Sequence, residues 1–265
     1  MVILDRFDLS GRSAIVTGAG SGLGRAMAIA LAQAGADIVG VGRRREVLEE
    51  SRGMVEALGR RFLVHPTDVT DSAQVNAMVA HAIAEMGRID ILINNAGGGG
   101  SGAGKSLPEL TDEDWHSGID SNLTSAFYCT RAIVPHMLER GGGRIINVAS
   151  SVGFRAMSGA WMYPIAKAGI VSLTRAIGFN YARDGIRCSC IAPGRFPFRA
   201  TAETKRAIGE RQVAGRIGEP DEIAAAAVFL SSPAADYLSG ETLIIDGGVV
   251  AAGIIPFSMR PVVEG

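Results

Sequence analysis

Cysteine is scarce in this chain, three among 265 residues, and the scarcity constrains the fold at once. Cys188 and Cys190 flank a single residue of an apolar run, so on a strand they face the same side, a poor geometry for a disulfide. Cys129 stands far from both. A reducing, cytoplasmic setting is therefore expected. Histidine is nearly as sparse, four scattered residues without metal-ligand spacing, and no metal is expected. No charge dominates either: 26 Lys and Arg against 27 Asp and Glu leave a net −1. With no basic stripe, nucleic acid is not an expected partner. Nor does any apolar run approach the roughly 20 residues of a membrane span, and the opening MVILDRFDLSGRS lacks the basic-then-apolar order of a signal peptide.

What is abundant is glycine, 35 residues, clustered in turns rather than repeating, which excludes collagen-like and low-complexity chains. Between these turns, apolar runs of four to six residues alternate with longer segments of helical period, the pattern of a parallel sheet covered on both faces. The runs are Ser13–Thr17, Ala36–Val41, Arg61–His65, Ile89–Ile93, Arg144–Ala149, Ile186–Ala192 and Glu241–Asp246. A chain of this length suits a single domain. The expected architecture is one doubly wound α/β domain with seven parallel strands.

The first strand runs into Thr17–Gly24, TGAGSGLG. Glycines here let the backbone approach a pyrophosphate, and the following helix offers its unpaired N–H groups. At the end of the second run, where an acidic residue would grip the ribose hydroxyls of NAD, stand Gly42 and Arg43. A glycine leaves room for a 2′-phosphate and an arginine fork suits it. Further on, Asn147–Lys167 holds Ser150 at a strand end, then Tyr163 and Lys167. Residues i and i+4 of a helix share a face, and a lysine cation beside a phenol is expected to pull its pKa down. Pro164 is compatible with that helix only in its first turn, which places the helix start near residues 160–162. Thr111 with Asp114 three residues on has the form of a capping box.

Taken in order, Thr17–Gly24, Asn94–Gly97 (NNAG), Asn122 and the Ser150, Tyr163, Lys167 set resemble the short-chain dehydrogenase/reductase family, over roughly residues 9–248. The resemblance implies a Rossmann-like fold over residues 1–248, with 249–265 as a C-terminal extension. It implies an oxidoreductase that interconverts a secondary alcohol and a ketone by hydride transfer. Tyr163 would transfer the proton, Ser150 would position the carbonyl oxygen, Lys167 would hold the nicotinamide ribose, and Asn122 would support a proton relay. The cofactor would lie on Gly18, Ser21, Gly22, Leu23, Gly24, Arg43, Asp68, Val69, Asn95, Ala96, Gly97, Tyr163, Lys167, Pro193, Gly194 and Phe196. NADP(H) is favoured, with NAD(H) as the alternative.

An aromatic-walled substrate site is expected from Ser150, Phe154, Trp161, Phe196 and Phe198, with Arg155 or Arg195 as an anion contact. Three residues depart from the family pattern: Phe198 replaces a threonine, Ser189 an asparagine and Ala166 a serine. Gly35–Leu63 looks similar to sugar-acid dehydrogenases of the family. A carrier-linked 3-oxoacyl or enoyl-type reductase is one alternative. A nucleotide-sensing protein without turnover is another, although such a protein has no need of the tyrosine. The long apolar faces of Thr111–Leu138 and Pro164–Arg183 resemble the family's dimer bundle, so a homodimer or homotetramer is expected. The tail after Val249 would then be ordered over the interface or the active-site lid.

Overall fold

The β-branched runs of the sequence become the strands of one sheet, the central ones buried on both faces and the last, Thr242–Ile245, only partly covered. The computed structural model describes residues 2–98, 101–198 and 200–252. In chain order the elements are β1 (Ser13–Thr17), α1 (Gly22–Gln33), β2 (Asp37–Gly42), α2 (Arg45–Glu56), β3 (Phe62–Pro66), α3 (Ser72–Met86) and β4 (Ile91–Asn94). There follow α4 (Asp112–Ile119), α5 (Ser125–Glu139), β5 (Gly143–Val148), α6 (Met162–Asn180) and β6 (Ile186–Pro193). Last come α7 (Ala202–Gly209), α8 (Pro220–Ser231), β7 (Thr242–Ile245) and the short α9 (Val249–Ala252). All seven strands run parallel in the order β3-β2-β1-β4-β5-β6-β7. Strand order reverses beside β1, and open sheets bind ligands at such a switch point, past the strands' carboxyl ends.

Alternation along the strands assigns the two layers. Ala14 and Val16 of β1 pack with Met27 and Leu31 of α1 and Ile223, Ala227 and Leu230 of α8. Ile15, between them, faces Val75 and Met78 of α3 and Ile133 of α5. Beneath α6 a smaller cluster gathers Ile170, Val171, Cys190 and Ala192. The three cysteines are buried and free.

Local signals held where they were strongest. Thr111 accepts the Asp114 N–H at 3.1 Å while Asp114 receives the Thr111 N–H at 3.1 Å, closing the box that starts α4. Pro164 lies in the first turn of α6. Strand β4 is shorter than its apolar run. Ile89 N donates to His136 Nε2 and the Asp90 carboxylate accepts the Ser13 N–H, so both residues are engaged outside the ladder. Of the extension, α9 is capped by Asp246, whose carboxylate accepts the N–H groups of Gly248 and Val250. Residues 253–265, and with them the expected ordering of the tail, lie outside the described residues. Among the described residues no helix is long and apolar enough to cross a membrane, and no group of His, Cys, Asp or Glu could hold a metal.

Candidate active site

At the carboxyl end of β5 the chain leaves the sheet through Ala149 and enters a 3-10 turn, Ser151–Phe154, with Ser150 as its cap. Ser150 Oγ accepts the Val152 N–H and donates to the Pro193 carbonyl, both at 3.4 Å, which ties the ends of β5 and β6. Gly153 presses the turn onto α6: a Cβ there would lie 2.9 Å from the Lys167 carbonyl. This contact carries Ser150 to Tyr163, near enough for the serine hydroxyl to favour the phenolate. One turn on, Lys167 Nζ lies 5.5 Å from the Tyr163 ring centroid and donates to the Val148 carbonyl at 2.9 Å. Serine, tyrosine and lysine thus meet at the sheet edge, as the motif predicts.

Their electrostatics differ from the sequence expectation. Burial pushes the Lys167 ammonium down to about 8, and burial raises the half-buried Tyr163 phenol above its ordinary value, with the Ser150 hydrogen bond pulling the other way. Lys167 therefore does not hold the phenol's pKa down in this arrangement. Its charge is weakened by desolvation and directed at a backbone carbonyl, and desolvation of the phenolate is the larger effect. At neutral pH the phenol keeps its proton.

Asn122 is buried, 1% exposed, where the helical line from α4 to α5 loosens into a π turn, Asp120–Thr124. The sequence reads as one continuous helix here. The Asn122 side chain takes the Gly118 carbonyl at 2.9 Å, the acceptor its own backbone N–H would use in an α-helix. It also donates to the Gly98 carbonyl at 2.7 Å and accepts the Gly98 N–H at 3.2 Å, pinning the residue that follows NNAG. A Cβ on Gly97 would stand 2.5 Å from Asn122 Oδ1 and 3.5 Å from Lys167 Nζ. The missing side chain leaves a gap between amide and ammonium.

A dinucleotide fits the remaining edge. Gly18 and Gly22 have φ of +70° and +55°, and a Cβ on Gly18 would meet Asn95 Nδ2 at 2.7 Å. Asn95 in turn is bolted to β1: Nδ2 donates to the Thr17 carbonyl, while the Asn95 and Ala96 N–H groups donate to Thr17 Oγ1. Ser21 caps α1 with extended backbone and no side-chain cap bond, and Leu23 packs into the core. Arg25, absent from the sequence reading, spans the turn and α2 through Ser51, Val47 and Glu50. At the end of β2 a Cβ on Gly42 would meet only Leu48, at 3.7 Å, and Arg43 is exposed with no ion pair among the described residues. Asp68 is held below the ordinary carboxylate range by Thr70, with the Arg43 charge adding to the effect, and Val69 packs inward against the layer of α3. Gly194 completes the edge: a Cβ there would sit 2.6 Å from Asp246 Cα.

The aromatic wall is only partly assembled. Phe154 and Trp161 stand partly exposed beside the Ser150–Tyr163 pair in sequence, and Trp161 Nε1 is fixed to the Lys105 carbonyl at 2.9 Å. The Phe198 ring lies against the glycine turn, its Cε1 at 2.6 Å from where a Gly22 Cβ would be. Phe196 does not join this wall: its ring packs on Gly218 and into the layer of α1 and α8. Two residues apart in a tight turn, the phenylalanines part because the Phe198 N–H bonds back to the Phe196 carbonyl. Arg155 Nε is buried without a hydrogen-bond partner among the described residues, whereas Arg195 lines a separate cavity of about 60 Å³ with Gln212 and Arg216.

The chain belongs to the short-chain dehydrogenase/reductase family and is an oxidoreductase. The family model described as enoyl-(acyl carrier protein) reductase matches residues 18–250. A 2-dehydro-3-deoxy-D-gluconate 5-dehydrogenase of Escherichia coli K12 is 38% identical over 259 residues, covering 94% of this chain and all of that protein. A gluconate 5-dehydrogenase of Gluconobacter oxydans is 36% identical, covering 94% and 98%. A gluconate 5-dehydrogenase from Burkholderia cenocepacia, solved in complex with NADP and tartrate, superposes with a TM-score of 0.85 at 36% identity, covering 94% of this chain and 98% of that one.

Proposed function

We propose that this protein is an NADP(H)-dependent dehydrogenase that interconverts a secondary alcohol and a ketone on a sugar acid, with NAD(H) the weaker cofactor. The observation that carries the reading is Ser150 at the end of β5 brought to Tyr163, with Lys167 buried beside the ring at the edge that holds the glycine turn. The bound nicotinamide cofactor supplies the hydride chemistry. Tyr163, protonated at neutral pH, donates a proton to a substrate carbonyl oxygen; in the reverse direction it first gives up its own proton toward solvent and then, as phenolate, accepts the proton of the substrate hydroxyl. Ser150 Oγ holds that oxygen beside the phenol. Lys167 contributes positive charge beneath the ring and a donor toward the ribose. The gap at Gly97, between Asn122 and Lys167, is placed for a proton path to solvent.

The cofactor choice rests on Gly42 and Arg43 and on the NADP held by the Burkholderia relative. The sugar-acid class rests on the names of the sequence relatives and on the unpartnered Arg155 Nε close in sequence to Ser150. A second reading, an enoyl-type reductase, is favoured by the description of the matching family model. A panel of gluconate, 2-dehydro-3-deoxygluconate, 3-oxoacyl and enoyl thioesters, run with both cofactors, separates the two. The expected outcome is turnover of a hydroxy or oxo acid with NADP(H). Tyr163→Phe should lower kcat by at least about 100-fold, the scale of general acid–base catalysis, while NADPH binding by fluorescence stays within about twofold. Turnover confined to thioesters would remove the sugar-acid reading, and residual activity above a tenth of wild type would remove Tyr163 from the reaction.

A further inference from the structure

The opposite edge of the sheet, where β1, β4, β5 and β6 begin, has no part in the proposed chemistry, yet it gathers five arginines. A cleft of about 240 Å³ is lined there by Arg12, Arg88, Arg140, Arg144 and Arg187. Only two carboxylates, Asp90 and Asp236, share it. Both are already engaged. Asp90 is gripped by Arg88 through both oxygens and also accepts the Ser13 N–H at 3.0 Å. Asp236 pairs with Arg144 and, at 3.6 Å, with Arg6.

The guanidinium groups are left in excess. Among the described residues Arg187 reaches only backbone oxygens, those of Asp236 and Ala182, each at 2.7 Å. Arg12 and Arg140 form no ion pair among the described residues. The Arg144 side chain is 9% exposed, and its Nη1 is buried without a partner. Burial disfavours its charge, and the neighbouring Arg12 and Arg187 charges add to that, against the opposing pull of Asp236. A buried guanidinium nitrogen without an acceptor is costly, and like charges facing one concavity repel.

The backbone keeps the cleft open. Gly141, Gly142 and Gly185 all have positive φ, and a Cβ on Gly142 would lie 2.7 Å from the Gly185 carbonyl oxygen. Side chains are thus excluded from the floor of a concave surface whose walls carry forked cationic donors, the geometry that suits oxyanions bidentately.

We infer that this cleft binds a small polyanion, a phosphate-type or polycarboxylate group of at least two negative charges. The site is ancillary: it stabilises the amino ends of four strands and takes no part in turnover. Its test does not depend on the proposed substrate. The full-length protein is saturated with NADPH, so that the glycine turn and Arg43 are already engaged. Pyrophosphate, citrate and sodium chloride are then titrated at matched ionic strength, with melting temperature and calorimetric binding as readouts.

The expected result is saturable one-site binding of pyrophosphate or citrate with a rise in Tm, and no equivalent rise with chloride; which of the two binds tighter assigns phosphate or carboxylate chemistry. Arg12→Gln with Arg140→Gln removes two donors that hold no ion pair, and should weaken the anion at least about tenfold, the scale of a charge-assisted hydrogen bond, with kcat unchanged. Asp236→Asn removes a competing carboxylate, so its Tm should respond more strongly to the anion than wild type. Equal responses to chloride and the polyanions, or unchanged affinity in the double arginine variant, would overturn the site.

Discussion

Lys167 combines a functional position with an unfavourable environment, and the two can be separated by experiment. Its ammonium is buried and its pKa lies near 8 rather than 10.5. Below about pH 8 both the folded and the unfolded chain carry the proton, so the folded state bears the whole cost of a buried charge, roughly 3 kcal/mol for a shift of this size. Between about pH 8 and 10.5 the folded state releases its proton first. The unfolded state then binds more protons, and stability from this group rises with pH. Lys167→Met should therefore melt above wild type at pH 7, lose that advantage as pH approaches 10, and be catalytically dead throughout. Melting curves of the two proteins across this range check it; a variant less stable at pH 7, or a pH-independent gap, would contradict the burial argument. Tyr163 and Lys167 were legible in the sequence because i, i+4 spacing fixes a shared face. The direction of their pKa values was not, since it depends on what covers them.

On the proposed reading, the turn between β2 and α2 decides the cofactor. Position 42 is open, and its φ is not in the left-handed region, so a side chain is accommodated without strain. Gly42→Asp with Arg43→Leu should convert a preference for NADPH over NADH of at least about tenfold in kcat/KM into the reverse, because a charge-assisted pair is worth roughly 1.5–3 kcal/mol and an acid repels the phosphate. Initial rates with both cofactors at subsaturating concentration measure it; a wild-type ratio near one makes Arg43 merely a solvated helix start. The glycine turn has a packing reason that its motif does not show. Gly18 and Gly24 look like phosphate-binding glycines, yet a Cβ on Gly18 would strike Asn95 Nδ2, and one on Gly24 would strike the Gly18 carbonyl oxygen and then Asn95 Nδ2. They are glycine because β1 and β4 are bolted together at Thr17, a contact between residues more than seventy positions apart. The π turn at Asn122 was likewise hidden, since a side chain that replaces one backbone donor leaves the apolar periodicity of the helix intact.

For the molecule as a whole, the helices α4 to α6 leave large apolar side chains in water: Trp115, Phe127, Leu138, Ile165 and Phe179, the last 85% exposed. Exposed aromatic surface on this scale marks an interaction face. Light scattering at micromolar concentration should give a dimer or tetramer, and Phe127→Glu with Phe179→Glu should lower the mass while leaving the circular dichroism unchanged; a monomeric wild type would contradict it.

What the sequence determined by itself is everything carried by short-range periodicity and turn chemistry. The seven strands, the Thr111 cap, the Pro164 limit on α6 and the shared face of Tyr163 and Lys167 follow from spacings of two to five positions, whereas Asn122 and Ser150 were singled out by the family resemblance. Tertiary structure alone decided which way neighbouring side chains face and what each buried polar group meets. Phe196 turned into the core while Phe198 covered the glycine turn, and Arg144 met Asp236 across 92 positions to leave a cluster of cations at the far edge. Such pairings depend on the close packing of distant segments, where burial multiplies electrostatic energies, and no local pattern records them.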